Sequence, residues 1–200
     1  MARTAHSASA QTRGLTRRLF AGLVAATIAI AASAGGALAQ AAGTPGRSSE
    51  NILNIPVRPA LIVQGTSEWA DGYTAIENAF LRLRAETARV GLKANGVPVA
   101  VFVFTDDMGF RFQGMLPIEE PAAAPALGDE FSLGKTPGGR AVKFEHRGAY
   151  DEIDATYDAV TAWLDDRDLV AHDFFVEEWL KAGSSANDID AAVDVYVFVK

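Results

Sequence analysis

The stretch Gly138–Tyr157, GGRAVKFEHRGAYDEIDATY, decides the fold. It opens on a Gly-Gly pair suited to a tight turn, because glycine takes left-handed backbone angles without a Cβ clash. From Ala141 to Arg147, Val142, Phe144 and His146 alternate with Lys143, Glu145 and Arg147. That period of two predicts a half-buried strand. Gly148 breaks the strand, and Tyr150 leads into a turn bearing Asp151, Glu152 and Asp154. Acids there suit the positive end of a helix. Ile153, Tyr157, Val160 and Leu164 then recur at helical spacing and give that helix one apolar face. The unit is strand, glycine corner, amphipathic helix.

The same plan extends in both directions. After the helix, Ala171–Lys181 reads as a strand, Gly183–Asp190 as a polar turn, and Val193–Lys200 as a strand with valines at alternate positions. The first half repeats the order. Ala60–Gln64 is a strand candidate, followed by a helix from Asp71 with Tyr73, Ile76, Phe80, Leu83 and Val90 on one face, closed at Gly91. Val97–Thr105 is a nearly continuous apolar strand, Asp106–Gly109 a turn and Phe110–Ile118 the returning strand. Trp69 stands before the first helix where Tyr150 stands before the second. Strand–helix–strand–strand therefore occurs twice, at about 56–118 and 138–200, and an internal duplication is read before the fold class. The expected fold is α+β, with antiparallel sheets, two helices on one side and a ligand cleft on the other. Residues 119–137, with several prolines, are expected to be a connecting loop, and residues 40–55, small and polar, a flexible linker.

Residues 1–39 read as a signal peptide: a basic start ending at Arg17-Arg18, an apolar run from Leu19 to Ala34, and small residues at Ala37 and Ala39. The run is short for a membrane span and closes on Gly35-Gly36, so cleavage near Ala39-Gln40 is expected, with no stable span afterwards. Thr16-Arg17-Arg18-Leu19-Phe20 resembles a twin-arginine export motif, and ordinary secretory leaders carry arginine pairs as well. The mature protein is then expected in the periplasm or outside the cell. The whole chain has a formal charge of −7. Removing the four leader arginines from the 18 basic residues leaves 14 against 25 acids, a formal −11. That balance repels a phosphate backbone and argues against a nucleic-acid partner. The absence of cysteine excludes disulfides, thiolate metal sites and a cysteine nucleophile.

GGRAVKFEHRGAYDEI resembles the mid-domain signature of the GyrI-like small-molecule-binding domain, also called the AraC-type effector-binding domain, in which a strand runs into His-Arg-Gly-Pro-Tyr and a helix. The hairpin VPVAVFVFTDDMGFRFQGMLPI and the segment FVEEWL are similar to further strands of that family, so the likeness spans about 56–200. Ala149 departs from the usual proline and Trp179 from the usual tyrosine. A leader pattern stands where a helix-turn-helix region would precede the domain in a regulator. The resemblance thus implies a stand-alone exported member whose partner is a hydrophobic, planar or cationic small molecule.

Alternation over Phe174–Leu180 puts Phe175, Glu177 and Trp179 on one face and Phe174, Val176, Glu178 and Leu180 on the other. The resemblance matches Glu177 and Trp179 to the family's acid and aromatic, and implies that Glu177 anchors the ligand. A carboxylate among aromatic rings offers a cation an ion pair and a cation–π contact worth roughly 0.5–2 kcal/mol. An acid pointing into water from a sheet edge fits the same pattern, and a one-residue bulge would bring Glu178 into the cleft instead. Ala100, Phe102 and Phe104 form the first-copy counterpart of this face, where strand phenylalanines serve a core equally well. Tyr150 and Trp69 are implied pocket residues, packing against the helix starts being their other role.

No metal or cofactor is expected. Of three histidines, His6 falls in the leader, and His146 and His172 lack ligand spacing; haem would require His172 as its axial ligand. Two other functions fit. Some relatives hydrolyse strained cyclopropane-type compounds with a Glu and a Tyr in the cleft, roles that would fall to Glu177 (or Glu178) and Tyr150. An envelope protein that uses the aromatic face for a protein partner would instead expose an apolar patch.

Overall fold

A computed structural model of the chain describes residues 47–48 and 51–200. The expected leader and its cleavage site lie outside the described residues. Two short strands, β1 (Arg47–Ser48) and β2 (Leu53–Ile55), come first. The first copy follows as β3 (Pro59–Glu68), a 3-10 turn at Trp69–Asp71, α1 (Gly72–Arg89), β4 (Val99–Thr105) and β5 (Gly109–Pro117). After β6 (Phe131–Lys135) the second copy is β7 (Gly139–Arg147), a 3-10 turn at Tyr150–Glu152, α2 (Asp154–Asp166), β8 (Phe175–Lys181) and β9 (Ala192–Phe198). The α+β class and the duplicated unit are as expected, down to the matching 3-10 turns that open at Trp69 and Tyr150.

Local chemistry explains the element ends. α1 stops where Gly91 takes φ 70°, and the Leu92 N–H then donates to the Thr87 carbonyl at 3.0 Å, closing the helix with a left-handed residue as the glycine predicts. Gly148 holds φ 127°, a backbone state that side chains disfavour, and this turns β7 sharply into the Tyr150 corner.

The strands form one antiparallel sheet ordered β1-β7-β9-β8-β4-β5-β3-β6, with β2 also paired to β7. The two copies join edge to edge at β4 and β8, where Ala100 lies opposite Glu177 and Phe102 opposite Phe175. Two stretches expected as irregular contain strands. Within 119–137, β6 adds to the outer edge of β3, and within 40–55, β1 and β2 pair with β7. FSLGK and LNI are too short and too poor in alternation to declare themselves, and an open sheet edge recruits them by backbone hydrogen bonding alone.

The side on which the cleft opens is a correction. The helices and the cleft share one face of the sheet. α1 packs over its own copy, where a Cβ on Gly114 would sit 3.2 Å from the Ala79 Cβ. α2 packs over β7, with Trp163 edge-on to Phe144. Each helix lies mainly over its own copy's strands, α1 reaching Trp179 of β8 through Phe80, and space is left between the helices over the seam. The opposite face carries a separate apolar cluster including Val99, Val101, Met115 and Val176. No helix among the described residues is long and apolar enough to cross a membrane.

Candidate functional site

A cavity of about 940 Å³ lies over the β4–β8 seam between the two helices, large enough for a drug-sized molecule. Its walls are aromatic. On one side Trp69 meets Phe110 with ring centroids 5.0 Å apart, and Phe110 meets Phe102 at 5.1 Å. On the other, Tyr73 lies 5.6 Å from Tyr150, and Tyr157 stands edge-on to Phe175 at 5.8 Å.

At the base is Glu177, 1% exposed, with Ala100 as its cross-strand neighbour. The small neighbour leaves the space into which the carboxylate projects. Tyr157 donates to Oε1 at 2.7 Å, Tyr150 to Oε2 at 2.9 Å, and the Trp179 indole N–H to Oε2 at 3.2 Å. Burial is the largest influence on Glu177 and raises its pKa to about 7, outweighing the three donors that favour the ionised form. Burial likewise pushes both tyrosine hydroxyls up, with the nearby Glu177 charge adding to it, so they remain donors.

No lysine, arginine or histidine lines the cavity among the described residues; Glu68, Glu77, Asp107, Asp151 and Asp154 do. Asp154 is itself raised, by burial first and then by Asp158. The site therefore concentrates negative potential inside an apolar, low-dielectric shell and supplies no positive charge to answer it.

Five of the residues singled out in the sequence line this cavity: Glu177, Phe175, Phe102, Tyr150 and Trp69. Three do not. Trp179 is 3% exposed and packs behind Glu177, 4.8 Å from Tyr150 and edge-on to Phe80, so it supports the carboxylate from the core. Phe104 is turned off this face by a bulge between Phe102 and Phe104, pairs with Arg111 and lies under its guanidinium, 4.8 Å from the ring centroid. Glu178 points to the opposite face, bonded to Arg58 at 2.9 Å and to the Tyr196 hydroxyl at 3.2 Å. The β8 alternation holds through 177 and 178, so Glu177 lines the cavity and Glu178 does not. His172 is exposed and stacks on Phe174, away from the cavity.

Tyr73, Tyr157 and Phe110 were not marked out. Both tyrosines sit among the apolar-face positions of their helices, and their hydroxyls were the available signal. A phenol on a core-facing stripe needs a polar partner. Tyr73 finds one in the Gly183 carbonyl at 2.7 Å, which ties the β8–β9 loop to the cavity mouth.

No curated protein sequence gives a significant match. Among solved structures, EcmrR bound to DNA is similar to this chain with a TM-score of 0.65 at 11% identity, covering 78% of this chain and 58% of EcmrR. The separate EcmrR C-terminal domain gives 0.64 at 11% identity, covering 78% of this chain and 99% of that domain. A hydrolase from Listeria innocua gives 0.55 at 15% identity over 75% of this chain and 91% of its own. SAV2435 bound to tetraphenylphosphonium gives 0.50 at 14% identity over 75% and 93%. At these identities the likeness is one of fold. The family profile of the GyrI-like small molecule binding domain matches residues 51–200, and the chain belongs to that family.

Proposed function

We propose that this GyrI-like domain binds a hydrophobic organic cation in the cavity over the β4–β8 seam, with Glu177 as its counter-charge. One observation carries the reading. A fully buried carboxylate is held by three donors and faces an aromatic cavity whose other charged residues are all acidic. A cation entering there gains an ion pair at low dielectric and ring faces on both sides. Because Glu177 lies near half-ionisation at neutral pH, an arriving cation favours the ionised form and expels the proton. The tetraphenylphosphonium held by SAV2435, a protein of similar fold, supports this choice of ligand class.

A thermal-shift screen of the protein against hydrophobic cations, neutral polyaromatics and haem tests the reading, with product analysis of every hit. Stronger stabilisation by cations than by neutral aromatics is the expected result. A response to neutral aromatics alone would contradict it.

Hydrolysis is the second reading. The pKa of Glu177, raised to about 7, and its 2.9 Å contact with Tyr150 suit a general base paired with a hydroxyl donor. Conversion of a strained cyclopropane-type compound in the product analysis would establish it. For location, the leader pattern of residues 1–39 supports a periplasmic or secreted mature protein. N-terminal sequencing of protein from fractionated cells tests that, a start near Gln40 being expected and a start at Met1 in the cytosol contradicting it.

A further inference from the structure

His146 on β7 joins the two segments that carry the tyrosines. It is 2% exposed and faces the helices. Its Nε2 lies 2.9 Å from the Ala149 carbonyl oxygen, and its Nδ1 lies 3.0 Å from Thr156 Oγ1. A carbonyl only accepts, so Nε2 carries the proton and Nδ1 accepts from the Thr156 hydroxyl. Burial, the main influence, lowers the imidazole pKa and so favours the neutral ring, in which one nitrogen alone carries the proton.

Ala149 immediately precedes Tyr150, and Thr156 immediately precedes Tyr157. One lies on the corner after Gly148, the other in the first turn of α2. A single rigid ring thus spans corner and helix and fixes each tyrosine relative to the strand. The two hydroxyls reach different oxygens of the same carboxylate, Oε2 from Tyr150 and Oε1 from Tyr157. Hydrogen bonds weaken steeply with distance and angle, so both rings must be correctly placed at once for the carboxylate to keep both donors.

We propose that His146, through Thr156 and Ala149, is the positioning residue of the anionic site: it aligns Tyr150 and Tyr157 on Glu177 and thereby sets the preference for cationic over neutral ligands without touching either. The proposal rests on Glu177 being the cation anchor. Loss of alignment removes donors from a buried carboxylate, which then holds its proton and loses its charge. The walls at Trp69, Phe102, Phe110 and Phe175 stand on other elements and continue to bind aromatic surface. Discrimination therefore falls while neutral affinity persists. A histidine that merely completed core hydrogen bonding would lower stability and leave the preference intact.

The test is titration calorimetry with tetraphenylphosphonium and with neutral triphenylphosphine oxide on the wild type, Thr156→Val and Thr156→Ser, each checked for folding by its melting curve. The wild type is expected to prefer the cation by at least about tenfold. Thr156→Val, which keeps the shape and removes the hydroxyl, is expected to lower cation affinity about tenfold and to leave the neutral probe within about twofold. Thr156→Ser is expected to restore the preference. Should Thr156→Val fail to fold, Thr156→Ala, which also removes the hydroxyl and leaves His146 in place, carries the same expectation. A folded Thr156→Val with the wild-type preference, or with equal losses for both probes, overturns the proposal. A wild type without cation preference overturns the Glu177 reading itself and the positioning role with it.

Discussion

The Tyr157 hydroxyl, carried on α2, donates to Oε1 of Glu177 on β8 at 2.7 Å, the shortest of the three bonds that hold this buried carboxylate. It couples a helix to the centre of the sheet beside the seam where the two copies meet. Charge-assisted bonds of this length are stronger than neutral ones, and their absence is felt chiefly by the ionised form.

Tyr157→Phe is therefore expected to raise the Glu177 pKa above about 7, because one donor to the charged form is gone while burial remains. Cation affinity at neutral pH should fall by roughly threefold to tenfold. A carboxyl NMR titration paired with calorimetry checks both. An unmoved pKa with unchanged affinity would show that the bond contributes nothing to the site.

Glu178→Gln separates the two neighbouring acids. Glu178 is largely buried on the far face, pairing with the partly exposed Arg58 and accepting from Tyr196, so Gln, which keeps an acceptor oxygen, should cost about 1–2 kcal/mol of stability. Cation affinity should stay within about twofold of wild type by calorimetry. A tenfold loss would move the anchor from residue 177 to residue 178.

Folding stability should depend on pH through Glu177 in a direction opposite to that of an ordinary salt-bridged carboxylate. Its folded pKa of about 7 lies above the ordinary glutamate value of 4.5. Below pH 4.5 the group is protonated in both states; between these values the folded protein keeps a proton that the unfolded chain has released. Stability from this group is thus full below the unfolded pKa and is lost as pH rises through about 7, by roughly 3 kcal/mol in all. His146, whose pKa burial lowers, acts with the reverse sign, costing stability as pH falls below 6.5. Urea unfolding of wild type and Glu177→Gln at several pH values isolates the first contribution. The difference between the two proteins should shift in favour of the variant on going from pH 5 to pH 8, and a constant difference would contradict the burial argument.

Much of the fold was legible because β7, α1 and α2 repeat their apolar periods cleanly and because Gly91 and Gly148 sit where positive φ is required. The parity of β8 was legible too, placing Glu177 with Phe175 and apart from Glu178. The side on which the helices pack was not, since Val176 and Trp179 are apolar on opposite faces and both faces of the sheet bury residues. Phe104 misled because a bulge carries no composition signal, and it rotates every residue beyond it. Tyr73 and Tyr157 passed as core positions because helical spacing records where a residue faces and not whether its hydroxyl has work there. The hold on Glu177 adds Tyr150 and Tyr157, from the corner and α2, to Trp179 on β8 itself, and only packing of those two segments against the sheet brings the hydroxyls to the carboxylate.

On the proposed reading, Glu177 supplies the charge that recognises a hydrophobic cation. Calorimetric titration of wild type and Glu177→Gln with tetraphenylphosphonium at pH 8, where the carboxyl is mostly ionised, tests it most directly. At least a tenfold weaker association, about 1.4 kcal/mol, is expected for the variant, with its melting curve still cooperative. Equal affinity in the two folded proteins would contradict it.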